Sequence, residues 1–120
     1  MQKLLLFKPD FGRFEPLVVE RAFRSLAEFT DYQFNESGGA PIQCEYIEPD
    51  DWTIIRLSGD ATTISTSNTG NAAVRAALLI QKSLGVPLRM VNDDNTFDLT
   101  FSDMSTVEEL EAAIDNARTS

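Results

Sequence analysis

The sequence contains no histidine, and among its 120 residues Cys44 is the single cysteine. Without an imidazole group, the chain can build neither a Ser-His-Asp nor a Cys-His nucleophile system, and it offers no histidine ligand for zinc. One thiol can form neither an internal disulfide nor a thiolate zinc site. We therefore predict a non-enzymatic protein with no catalytic residue, no metal and no cofactor.

Basic residues are also scarce, because 10 Lys and Arg stand against 19 Asp and Glu and leave a formal net charge of −9. Direct binding to nucleic acid is disfavoured, since contacts to phosphate groups need a basic surface. Surplus negative charge has two readings that the sequence leaves open. It keeps many proteins soluble, and it also steers a basic partner toward the surface.

Long apolar runs are absent. The first apolar run, residues 4–7, ends at Lys8 and Pro9, whereas a signal peptide needs an apolar stretch of about 7–15 residues. No run approaches the roughly 20 apolar residues of a membrane-spanning helix. We therefore expect a cytoplasmic protein that does not enter a membrane. Hydrophobic residues make up 42% of the chain, which suits one globular domain over residues 1–120.

Hydrophobic periodicity and turn signals predict six strands and three helices in the order β-α-β-β-β-α-β-β-α. Two predicted hairpins indicate an α+β fold with a mainly antiparallel sheet and helices on one or both faces. Residues 35–41 have the most flexible composition, and the Thr- and Ser-rich strand has the features of a sheet edge or of a strand with one wet face. The predicted strands are residues 3–8, 42–47, 52–57, 61–66, 88–91 and 96–102, and the predicted helices run from Pro16 to about residues 30–32, over 71–84, and from Ser105 or Thr106 onward.

The remaining candidates for chemistry all have simpler structural explanations. Cys44 shares one face of its predicted strand with Ile42 and Tyr46, which favours a core thiol over a reactive one. Asp93, Asp94 and Asp98 could bind a hard cation, but their spacing is not that of an EF-hand and suits an ordinary hairpin tip. A helix start near Gly70 could hold an anion, yet helix capping explains it. A glycosidase would need a deep aromatic-lined cleft, for which the chain has little material.

Four acidic residues fall within residues 45–51, with no Lys or Arg among them; Tyr46 lies inside this stretch and Trp52 follows it. Aromatic side chains beside carboxylates have the composition of an interface hot spot. The alternative is that Trp52 anchors the core, since a lone Trp is usually well buried. A second acidic region surrounds Asp93 and Asp94, and the two regions would form one negative surface if both hairpins project from the same end of the sheet. The predicted partner-binding residues are Glu45, Tyr46, Glu48, Asp50, Asp51, Trp52, Asp93 and Asp94.

The segment LGVPLRMVNDDNTFDL at residues 84–99, followed by STVEEL at residues 105–110, resembles bacterial immunity proteins of polymorphic toxin, contact-dependent or type VI secretion systems. The likeness lies in the helix–hairpin–helix patterning of the C-terminal third. It implies a small, cytoplasmic, non-enzymatic protein that binds a cognate toxin effector domain and occludes its active site. Two alternatives stay open at this point. One is a structural or regulatory adaptor that acts by protein–protein contact or forms a homodimer, and the other is a small carboxylate- or metal-dependent enzyme.

Overall fold

The computed structural model describes residues 3–34, 42–94, 96–102 and 106–117. In this part of the chain, seven strands form one fully antiparallel sheet of order β2-β3-β4-β5-β1-β6-β7. This arrangement confirms the predicted α+β class and the mainly antiparallel sheet. The elements are β1 (Leu4–Phe7), α1 (Pro16–Ser25), β2 (Phe29–Phe34), β3 (Ile42–Glu48), β4 (Asp51–Leu57), β5 (Ile64–Thr66), α2 (Asn71–Leu84), β6 (Leu88–Asn92), β7 (Asp98–Phe101) and α3 (Val107–Ala117).

The structure has one strand more than the sequence predicted, because α1 ends at Ser25 and not near residues 30–32. Phe29 continues the helical spacing of apolar residues, but it belongs to β2. From that strand its ring packs edge-on against Phe23 at 5.6 Å and against Tyr46 at 5.8 Å between centroids. A register shift beside Asp31, which has a φ of 55°, interrupts the alternation that would have revealed the strand. The residues 35–41 predicted as flexible lie outside the described part of the chain.

The three helices lie on one face of the sheet, where α1 and α3 each pack against the central α2. Alternation along the strands sets this face, because Leu4 and Leu6 of β1 are buried whereas Leu5 and Phe7, which alternate with them, are partly exposed. α2 is the most deeply buried helix, as its run of small and apolar residues predicts. Within the described residues no helix covers the opposite face of the sheet, which we call the open face.

Of the segment predicted as a strand over residues 61–66, only Ile64–Thr66 forms β5, because Ala61, with a φ of 60°, still belongs to the preceding turn. β5 lies between β4 and β1 in the middle of the sheet. The expectation of a sheet edge is therefore wrong, while the expectation of one wet face holds at Ser65. Thr66 is buried, and its hydroxyl group is satisfied there because it donates to the Asn68 carbonyl at 2.6 Å and accepts the Leu4 N–H at 3.1 Å. The edge strands of the described sheet are β2 and β7, so self-association through a sheet edge would have to use one of these.

The two acidic hairpin turns lie at the same end of the sheet. β4, β5, β1 and β6 are successive antiparallel neighbours, so the start of β4, the end of β5, the start of β1 and the end of β6 coincide. The β3–β4 turn at Pro49 and Asp50 and the β6–β7 turn at Asp93 and Asp94 therefore project in the same direction. A shared negative surface required both hairpins to project from the same end of the sheet, and they do. The ends of β5 and β1 lie between the two turns.

Candidate functional site

An exposed apolar pair lies on the open face, at the end of the β3–β4 hairpin. Trp52 is 52% exposed and Ile47 is 61% exposed, and the two residues are paired across the strands. With Glu45, Glu48, Pro49, Asp50 and Asp51 they border a shallow depression of about 670 Å³. We call Ile47, Trp52, Glu45, Pro49 and Asp50 the Trp52 shelf. Exposed apolar side chains that lie next to one another mark a candidate contact site.

Trp52 faces outward because of the alternation of β4. Thr53, its neighbour, is fully buried on the helix-covered face, so the strand period of two turns the Trp52 ring toward the open face. The alternative reading of Trp52 as a core anchor is therefore wrong. The position remains a candidate contact residue, as its place beside the carboxylates suggested.

Tyr46 lies on the opposite face from Ile47 and is only 5% exposed. Its hydroxyl donates a hydrogen bond to Glu48 Oε2 at 2.9 Å. Burial, together with this hydrogen bond and the nearby Glu48 charge, raises the pKa of Tyr46 to about 12. Tyr46 is a core residue, so its inclusion among the surface contact residues is corrected.

Two of the four clustered acids hold elements of the fold together. Glu48 Oε2 accepts a hydrogen bond from Arg75 Nε of α2 at 2.6 Å and so links β3 to the helix layer. Asp51 Oδ2 accepts the Ala72 N–H at 3.0 Å, which caps the start of α2, while its Oδ1 accepts the Trp52 N–H at 2.9 Å. A Cβ at Gly70 would lie 2.6 Å from Asp51 Oδ2, so glycine is needed for this close approach. Both partners are more than twenty residues away in sequence, and no local pattern could have shown them.

The other two acids, Glu45 and Asp50, are the carboxylates of the Trp52 shelf. Glu45 shares a hydrogen bond with the carboxyl group of Asp31, and this bond, with smaller contributions from burial and the Asp31 charge, raises the pKa of Glu45. Asp50 is exposed at the hairpin turn. Among residues 3–34, 42–94, 96–102 and 106–117, neither Glu45 nor Asp50 forms an ion pair. The Glu45 and Asp50 carboxyl groups therefore border the same depression as the exposed Trp52 ring, without a cationic partner in those ranges.

The second acidic region has its own internal partners. Asp93 Oδ1 accepts the Lys3 N–H at 2.9 Å, and the Asp93 N–H donates to the Lys3 carbonyl at 3.1 Å. Asp98 pairs with Arg89 across the open face, and the hydrogen bonds from this guanidinium lower the pKa of Asp98. Asp94 is exposed at the turn. In the described ranges no three Cys, Asp or Glu residues are grouped so that they could hold a metal ion.

A polar cleft of about 510 Å³ opens between the start of α2, the end of β6 and α3. Asn92 lines it and is 4% exposed, but its amide is already occupied by Thr96. Asn92 Nδ2 donates to the Thr96 hydroxyl at 2.6 Å, and Asn92 Oδ1 accepts the Thr96 N–H at 2.8 Å. These bonds shape the β6–β7 turn and account for the buried amide without a ligand.

Cys44 is fully buried in β3, as its strand position predicted. Burial, assisted by the neighbouring charge of Glu45, raises the pKa of the thiol to about 12. The nucleophilic form of cysteine is the thiolate, so a neutral, enclosed thiol is not equipped for covalent chemistry. The prediction of a structural cysteine is confirmed.

Sequence reasoning missed Phe11, which is 57% exposed at the opposite corner of the open face. Its ring packs against Phe7 at 5.8 Å, and the Arg89 guanidinium lies 4.7 Å from its centre. The residue has a φ of 60°, which is uncommon for a bulky side chain. The Pro, Asp and Gly around it predicted a turn, but this pattern gave no sign that the aromatic side chain would be exposed.

No protein-family model matches this chain, and neither a curated protein nor a solved structure does. In the described residues, every helix is too short or too polar to cross a lipid bilayer.

Proposed function

We propose that this protein acts as an immunity protein, which binds a cognate bacterial toxin effector domain and neutralises it by occluding its active site. The observation that carries the proposal is the exposed Trp52 and Ile47 pair on a sheet face that no described helix covers, next to carboxyl groups that form no ion pair with any described residue. Trp contributes a large contact area at low entropic cost and is enriched among the residues that dominate interface affinity. A sheet face of this kind suits binding more than catalysis.

The dimensions of the open face suit a protein partner. Seven strands spaced about 4.8 Å apart span roughly 30 Å, and strands of this length add roughly 20 Å in the other direction. A typical stable interface takes about 800 Å² from each partner, which is of the same order. A small molecule, by contrast, usually binds in an enclosed pocket, and the Trp52 shelf is shallow.

Charge supports a basic partner surface. The chain carries a net charge of −9, and both acidic hairpin turns project from one end of the sheet. Toxin domains that act on nucleic acids or nucleotides need a cationic site to hold phosphate groups. An acidic protein is drawn to such a site by long-range attraction and covers it in place of the substrate. The resemblance of residues 84–110 to immunity proteins points in the same direction.

The direct test is protection by co-expression. The product of the gene adjacent to the one encoding this chain is expressed with and without it, and the purified pair is examined for a one-to-one complex. We expect protection from growth arrest and a stable complex, both weakened by Ile47→Ala. Leu17→Ala is the matched control, since Leu17 is also 61% exposed but lies on α1 of the helix layer.

The outcomes separate the parts of the proposal. Absence of both protection and complex formation would remove the immunity function. A complex that is weakened equally by Ile47→Ala and Leu17→Ala would keep the function but reject the Trp52 shelf as its contact surface.

A further inference from the structure

Within the described residues, two arginines each join a carboxylate to an aromatic ring. Arg24 Nε lies 3.3 Å from Glu20 Oε1, and its guanidinium lies 5.1 Å from the centre of the Tyr32 ring. Arg89 pairs with Asp98, and its guanidinium lies 4.7 Å from the centre of the Phe11 ring. A planar guanidinium suits both contacts, because it stacks on an aromatic face while its N–H groups bind carboxylate oxygens.

The Trp52 shelf has the ring and the carboxylates of this arrangement, but within the described chain it has no cation. Arg75, from the adjacent helix, is engaged by Glu48 at 2.6 Å. Arg56, on the same open face, donates its Nε–H to Gln43 Oε1 at 2.9 Å. The Trp52 ring therefore keeps its exposed face, and within the described residues the Asp50 and Glu45 carboxyl groups border it without a cationic partner.

We infer that the toxin partner supplies the missing cation as an arginine side chain stacked on Trp52 between Asp50 and Glu45. This inference rests on the proposed function and specifies the chemistry of its contact. The methylene stem of the arginine lies against exposed Ile47, and the guanidinium reaches the two carboxylates. Lysine fits less well, because a strongly hydrated ammonium group cannot stack as a plane or bind a carboxylate through two parallel N–H groups.

Trp52 is the only tryptophan in the chain, so its fluorescence reports on the shelf alone. The probes are two capped peptides of equal charge, tri-arginine and tri-lysine, titrated at low ionic strength. We expect tri-arginine to change the Trp52 emission with saturation, at a concentration about three- to tenfold lower than tri-lysine requires. The double variant Glu45→Gln with Asp50→Asn should raise the apparent Kd for tri-arginine by about three- to tenfold.

The matched control is Glu108→Gln with Glu111→Gln, which removes the same charge from α3 in the helix layer. The tri-arginine Kd of this control should stay close to that of the unaltered protein, and far-UV circular dichroism of both double variants checks that they are folded. An equal response to arginine and lysine, or an equal loss in the control, would show attraction by net charge alone and overturn the inference.

Absence of any Trp52 response would overturn the inference as well. The proposed function is tested separately by protection and complex formation. If a complex forms and depends on Trp52 but has no partner arginine on the Trp52 ring, the proposed function is retained and the inferred arginine contact is wrong.

Discussion

At the scale of single residues, the direction of each side chain decides what it can do. Tyr46 and Ile47 are adjacent in β3, yet Tyr46 is 5% exposed and Ile47 is 61% exposed. Successive strand residues point to opposite faces, so the Tyr46 ring packs in the core and the Ile47 side chain lies on the surface. The acids of residues 45–51 also differ in their contacts. Glu48 and Asp51 bind Arg75 and the Ala72 N–H, whereas Glu45 and Asp50 form no ion pair within the described residues.

Cys44 gives a prediction about alkaline pH. Its pKa is raised from the ordinary 9.0 to about 12 by burial, so the folded state holds the thiol proton more tightly than the unfolded state. This contribution to stability is complete below pH 9.0 and is lost as the pH rises from there toward about 12. We expect the urea midpoint to fall over this range, and we expect a thiol reagent to react with Cys44 only on unfolding.

Cys44→Ala is the control for this prediction. The pKa of Tyr46 is also raised to about 12, from 10.0, so some alkaline destabilisation will remain in the variant. The decline of the urea midpoint should nevertheless be shallower in Cys44→Ala, and the difference should begin near pH 9. Equal pH profiles for the two proteins, or rapid labelling of the native thiol, would contradict the burial of Cys44.

At the scale of elements, contacts between segments distant in sequence hold the β3–β4 hairpin against α2. The helix has Gly70 at its N-cap, which lacks a side chain to accept an N–H. Asp51 of β4 fills this role by accepting the Ala72 N–H at 3.0 Å. The Asp51 carboxylate therefore links β4 to α2, and this hydrogen bond occupies the oxygen that a partner would otherwise bind.

The start of α2 leads to a second prediction. Asp51→Ala should reduce the free energy of unfolding by about 0.5–2 kcal/mol, which is the usual cost of losing an N-cap acceptor. Asp51→Asn should cost less, because the amide oxygen can still accept the bond. Asp50→Ala, next in sequence but exposed, should change stability by no more than about 0.5 kcal/mol. Urea unfolding of the three variants measures these differences, and equal effects of Asp50→Ala and Asp51→Ala would rule out the cap.

Elements with strong local signals could be predicted from the sequence. The helix over residues 71–84 has the predicted bounds because Gly85, with a φ of 71°, ends it and Pro87 prevents continuation. β2 was missed because Phe29 matches the helical period and Asp31 disrupts the strand period. The Trp52 shelf was partly predicted, since acids beside a Trp were visible. The cap at Asp51, the Glu48–Arg75 pair and the choice of face for Trp52 depend on long-range packing that composition does not contain.

At the scale of the whole molecule, the core and the exposed aromatic residues lie on opposite faces of the sheet. Three helices and one sheet face enclose the core, while the open face carries Trp52 at one corner and Phe11 at the other. Both acidic turns lie at the Trp52 end of the strands. Under the proposed function, their charge draws a basic partner surface toward the end of the sheet where Trp52 is exposed.

This arrangement predicts how charge changes act on association. Under the proposed function, Glu45→Lys with Asp50→Lys should slow binding to the proposed toxin partner at least about tenfold at low salt, because attraction at the Trp52 shelf becomes repulsion. The loss of stability should be limited to the hydrogen bond that Glu45 shares with Asp31, since neither residue forms an ion pair within the described chain. Reversing Glu48 and Asp51 instead should lower the melting temperature, because these carboxylates bind Arg75 and the Ala72 N–H. Stopped-flow association at two ionic strengths and thermal unfolding distinguish the pairs, and an unchanged association rate for the first pair would place the contact surface elsewhere.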